Sequence, residues 1–130
     1  MVKAISREQI RGKLEAFLDS SFGTPAPEHL TFVEVGSSLD YDRIHIQNAI
    51  HMTPTQVVRS ARTCLPNLGT EVVVYGDAAH QNATRLAADA LSEQGYENIF
   101  FYSEGKEDWI GAGLWTNTSL VPTDGFSNRL

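Results

Sequence analysis

Chemistry in this chain is best sought at the end of one apolar run, where groups that carry charge and protons come together. Val72-Val73-Val74-Tyr75 reads as a buried strand, and Ala83 to Leu91 as a helix that stops near Gly95. Between them lies Gly76-Asp77-Ala78-Ala79-His80-Gln81-Asn82. A loop that opens onto a helix N-terminus presents unpaired N–H groups and the positive end of the helix dipole, which favour anions. His80 can donate to such an anion or serve as a general base near neutral pH; read more simply, it is a solvated loop histidine. Asp77 would repel an anion at the same mouth. Arg85, on the first turn of the helix, either offsets Asp77 or stands exposed. Asn82 is expected to cap the helix through its side chain, a contribution of about 1 kcal/mol. Gly76 suits a strand end that needs positive φ or a close backbone approach. The loop holds no nucleophile, and no carboxylate–histidine–nucleophile set assembles around His80.

The other reactive side chains stand elsewhere. Cys64 is the one cysteine, near the end of a predicted helix, where the negative end of the dipole does not favour a thiolate nucleophile. It reads as a packing or partly exposed residue. His45 and His51 have only Asp40 and Asp42 nearby, which is no recognised metal spacing. They are expected to pin the segment after the second strand by hydrogen bonds. Neither a metal nor another cofactor is expected.

The elements that position these groups follow from pattern. Ser6-Arg7-Glu8-Gln9 has the form of a capping box. Ile10, Leu14, Phe17 and Leu18 then make an apolar stripe on a helix to about Asp19. Ser20 to His29, with Gly23, Pro25 and Pro27, reads as a surface loop. Leu30 to Val35 is a strand ending in a turn at Gly36. Leu39 to Gln47 reads as irregular or a single helical turn, and Ala49 to Met52 as a brief buried strand. Thr53-Pro54-Thr55-Gln56 is a second capping box with proline at the first helical position, for a helix to about Thr63. Asn98 to Tyr102 is another strand, and Glu104 to Gly113 a short closing helix with Trp109 on its apolar face. Trp115 onward reads as an extended tail. Strands alternating with helices imply one α/β domain built from parallel units.

Composition narrows the partners. A hydrophobic share of 42% with 20% charged residues is that of an ordinary globular protein. A net charge of −6 argues against nucleic acid or anionic membrane as the main partner. No apolar run approaches the ~18–20 residues that span a bilayer. One cysteine and an N-terminus without an apolar signal core make the cytoplasm the expected compartment.

Three ordered stretches resemble a rhodanese-like, sulfurtransferase-type domain. Phe32-Val33-Glu34-Val35, Tyr41 and His45 to Met52 are similar to the family's first motif, a strand ending Asp-Val-Arg followed by Tyr and a Gly-His-Ile-Pro-Gly-Ala segment. Val73-Val74-Tyr75 through Asn82-Ala83-Thr84, Ala87-Ala88, Leu91 and Gly95 to Asn98 resemble the active-site strand, loop and helix. Glu104-Gly105-Lys106-Glu107-Asp108-Trp109 to Gly113 is similar to the closing Gly-Gly, Trp, Gly pattern. The resemblance covers roughly residues 5–114 and implies a single domain, residues 1–114, with a five-stranded parallel sheet flanked by helices on both faces. Residues 115–130 form the tail.

The departures concern the chemistry. Active members place a persulfide-bearing cysteine directly after the Val-Tyr strand end, where this chain has Gly76. A second cysteine found in some relatives is Gln81 here. The Asp and Arg of the first motif are Glu34 and Gly36, and its Gly, Pro and second Gly are Ile44, Gln47 and Asn48. The expectation is a catalytically inactive binding or regulatory module with an anion-friendly loop, its partner a protein or small anion. A cysteine installed at position 76 is expected to react with iodoacetamide faster than Cys64. The alternatives are sulfurtransferase-type or phosphoester chemistry relying on His80, and a homo- or hetero-oligomer docking through the tail.

Overall fold

Alternate residues of a strand face opposite sides, so a strand apolar at every position must be covered on both. The run at Glu71–Tyr75 behaves in this way. Val72 and Val74 join one core with Val33, Val35, Met52, Val57, Ala61, Ala88 and Leu91. Val73 and Tyr75 join another with Ile10, Phe32, Tyr102 and Trp109. The computed structural model describes residues 2–18 and 30–119.

Its strands are β1 (Val2–Ala4), β2 (Leu30–Val35), β3 (His45–Ile46), β4 (Ile50–Met52), β5 (Glu71–Tyr75), β6 (Asn98–Phe101) and β7 (Thr116–Asn117). Its helices are α1 (Arg7–Leu18), α2 (Ser38–Arg43), α3 (Pro54–Cys64), α4 (Gln81–Glu93) and α5 (Gly105–Gly111). Five strands form one sheet in the order β1-β6-β5-β2-β4, with every pairing parallel. Helices α3 and α4 contribute to the first core, α1 and α5 to the second. This is the α/β architecture expected from the sequence. Among the described residues no helix is long and apolar enough to cross a membrane.

Local signals set the helix starts. Ser6 and Gln9 exchange side chain–backbone hydrogen bonds at 3.1 and 2.9 Å ahead of α1, and Thr53 and Gln56 form the same box before α3. Ile10 of the α1 stripe is buried. The side chains of Phe17 and Leu18, and the loop expected at Ser20–His29, lie outside the described residues. At the far end of α4, Gly95 takes φ +102, the left-handed turn that closes the helix.

Two segments carry more structure than the sequence pattern showed. Leu39 to Gln47 holds all but the first residue of α2, a short helix capped by the Ser37 hydroxyl accepting from the Asp40 N–H, and the two residues of β3. The start of the expected tail is ordered: β7 pairs antiparallel with β3, His45 opposite Asn117 and Ile46 opposite Thr116. The Ser119 N–H adds a bond to the Asp42 carbonyl at 2.8 Å. Two-residue strands carry no readable period, so neither could be found from the pattern.

From β2 the chain moves out to β4 on one side, and from β5 to β6 on the other. The carboxyl ends of β2 and β5 therefore flank the point where the winding reverses, where ligands of open α/β sheets bind.

Candidate functional site

The loop after β5 is tighter than an open cradle. Ala78–His80 form a 3-10 turn directly ahead of α4. The capping residue of α4 is His80, which makes no side-chain cap bond. Asn82 is exposed inside the first turn, so the expected Asn82 cap is corrected. The Thr84 hydroxyl ties this turn by donating to the His80 carbonyl at 2.7 Å. Gln81 Nε2 donates to the Ser103 carbonyl at 2.8 Å, joining the helix start to the segment before α5.

Gly76 is buried and does not have the positive φ that glycine permits; it serves the close approach instead. A Cβ built there would lie 2.4 Å from Thr84 Oγ1 and 2.8 Å from the Val35 carbonyl oxygen. On its other side, a Cβ at Gly105 would lie 2.6 Å from the Gly76 carbonyl oxygen. That carbonyl accepts from the Lys106 N–H at 3.0 Å. The ends of β2 and β5 and the start of α5 thus meet backbone to backbone.

Beneath the loop lies a buried ion pair. Lys106 Nζ donates to Glu34 Oε2 at 2.7 Å, with the two side chains 7% and 3% exposed, and to the Asp40 carbonyl at 2.7 Å. The Tyr75 hydroxyl donates to Glu34 Oε1 at 2.8 Å and accepts from the Ile46 N–H at 3.0 Å. Burial, then the Glu34 charge, push the Tyr75 phenol well above its ordinary value. Charges taken this far from water persist only when paired and hydrogen-bonded.

Acidic groups gather at the mouth. His80 Nδ1 and Asp77 Oδ1 are 2.5 Å apart, and Asp40, from α2, lies within reach of both. One ligand atom from each of the three falls within 4.8 Å of the others. These residue types can ligate a cation, but the His80–Asp77 hydrogen bond already satisfies the two closest atoms. The Ala78 N–H donates to Glu107 at 3.1 and 3.3 Å from its two carboxylate oxygens. At this amide the protein supplies its own anion.

The expected site residues therefore divide. Gly76, Asp77, Ala78, Ala79, His80 and Gln81 form the turn, with Asn82 beside it and unengaged as a cap. Arg85 lines a groove with Val2, Asp89 and Phe101, while Asp77 is bonded to His80. His45 and His51 pin their segment as expected, by bonds to the Tyr41 and Gly36 carbonyls at 2.7 and 2.6 Å. Cys64 is exposed. Sequence reasoning missed Asp40, Thr84, Lys106 and Glu107 as parts of this site. One signal was available for Lys106: Glu34 inside an apolar strand demands a buried cationic partner.

Comparison with known proteins agrees with this geometry. An open α/β sheet with its loop at the β2–β5 crevice defines the class, and the rhodanese-like domain profile matches residues 18–112. The chain belongs to the rhodanese-like family. The rhodanese-like domain of the Alr3790 protein from Anabaena sp., solved by NMR, is 25% identical over 95% of this chain and 86% of that one, with TM-score 0.71. A crystal structure of the Alr3790 protein is 24% identical over 88% of this chain and 80% of that one, again at 0.71. Thiosulfate sulfurtransferase from Pseudomonas aeruginosa shares the fold at TM-score 0.71 and 18% identity, over 91% of this chain and 20% of that one. In this family member, Gly76 stands at the persulfide-cysteine position.

Proposed function

We propose that this chain is a rhodanese-like binding or regulatory module in which the covalent sulfur-carrying step is lost. The observation that carries this reading is Gly76, buried at the end of β5 with no room for a side chain. Sulfur transfer through a persulfide needs a thiolate stabilised by loop amides. The chain's one thiol, Cys64, lies instead at the end of α3. The expected test is turnover with thiosulfate and cyanide, with thiocyanate at the level of a blank; rates matching a cysteine-bearing domain would end the proposal. The anion preference of the loop is retained in internal form, with the Glu107 carboxylate on Ala78. Small anions are then expected to shift the Ala78 amide resonance in Glu107→Ala more than in the native chain. The cytoplasm is the compartment proposed.

The hydrogen bond that the Asp77 carboxylate accepts from His80 Nδ1 favours a second reading, since a carboxylate that orients an imidazole is half of a general-base device. Phosphoester turnover abolished by His80→Ala would support it.

A further inference from the structure

The open edge of the sheet offers a surface that the loop does not. β1 pairs with β6 on one side only, and among the described residues no strand lies beyond it. The Ile5 N–H bonds to the Phe101 carbonyl at 3.1 Å. Backbone groups along a strand alternate in direction, so Lys3 and Ile5 bond toward β6 while the N–H and C=O of Val2 and Ala4 face outward. Beside this edge runs a groove of about 520 Å³. Val2, Ala4 and Phe101 provide its apolar part, and Arg85, Asp89 and Glu93 of α4 its charged wall.

We infer that this edge takes an extended protein segment as an added strand, with a basic side chain directed at Asp89 and Glu93. The wall carries two carboxylates against one guanidinium, and the chain carries a net −6, so a basic segment is attracted. From Arg85 to Glu93 the helix rises roughly 12 Å, the length of about four strand residues. Main-chain bonds to Val2 and Ala4 supply affinity, and the wall reads alternate side chains. A second copy of this chain fits less well. Antiparallel pairing of Val2 with Ala4 would set Lys3 opposite Lys3, a like-charge contact that protects edges against self-pairing.

The probe is an acetylated, amidated hexapeptide Val-Lys-Val-Lys-Val-Thr, titrated into the full ¹⁵N-labelled chain. Shifts are expected at Val2 to Ala4 and along Asp89 to Glu93, with the Glu-for-Lys peptide binding about tenfold weaker. Ala4→Pro removes one outward donor and leaves the bonds of Lys3 and Ile5 to β6, a change that edge strands tolerate. It is expected to weaken binding with the fold intact, as is the pair Asp89→Lys and Glu93→Lys. Four results would overturn the proposal: no shifts at β1, equal binding of the acidic peptide, β1 shifts that follow protein concentration alone, or β1 shifts on removing residues 120–130.

Discussion

Gly76 carries a hydrogen where any other residue carries a carbon, and the space for that carbon is taken. With Thr84 Oγ1 at 2.4 Å and the Val35 carbonyl at 2.8 Å from a built Cβ, a substituent must displace both a hydroxyl and a strand end. Overpacking of this kind costs about 1–3 kcal/mol, so Gly76→Ala should lower the denaturation midpoint, and Thr84→Ala in the same chain should recover part of the loss. The expectation that Gly76→Cys reacts faster than Cys64 is therefore reversed. A thiol at position 76 is buried and Cys64 is exposed, so iodoacetamide should label Cys64 first. Faster labelling at position 76, with stability unchanged, would show the joint to be open. The sequence announced the missing cysteine at Gly76 but not the crowding around it. That crowding comes from Val35, Thr84 and Gly105, which are brought together only by the order of the sheet.

Among the elements, α5 holds the site together although it is only seven residues long. It supplies the Lys106 N–H to Gly76, the Lys106 ammonium to Glu34 and Asp40, and the Glu107 carboxylate to Ala78. Trp109 anchors it, buried against Phe32 and Tyr102, with its indole N–H donating to the Trp115 carbonyl at 2.8 Å. Removing one partner of a buried ion pair leaves a bare charge and costs about 3–5 kcal/mol. Lys106→Met should therefore destabilise the domain strongly, and adding Glu34→Gln should restore a large part. Additive losses in the double variant would mean that the pair is not coupled. The apolar stripes of α3 and α4 and the apolar runs of β5 and β6 were legible from sequence, as were both capping boxes. The β3–β7 pair was not, because it depends on residues about 70 positions apart, Ile46 and Thr116.

Taken as a whole, the molecule buries several phenols beside carboxylates. Burial and Glu34 raise Tyr75, and burial with the Asp108 carboxylate raises Tyr102, both above the ordinary 10.0. Asp108 also accepts from Arg7 at 2.8 Å, linking α1 to α5. A phenol whose folded pKa is raised holds its proton more tightly in the folded state. Its contribution is complete below pH 10.0 and is lost as pH climbs from there through the folded values. Denaturant midpoints should fall above pH ~10, with a shallower fall in Tyr102→Phe. A profile level from pH ~9 to ~11 would contradict this assignment.

The central claim, a rhodanese-like domain without its covalent step, is tested most directly by intact mass after incubation with thiosulfate. The native chain is expected to retain no added sulfur, because Gly76 offers no thiol at the end of β5 and Cys64 lies at the end of α3. A persulfide on Cys64 that cyanide discharges as thiocyanate would contradict the account.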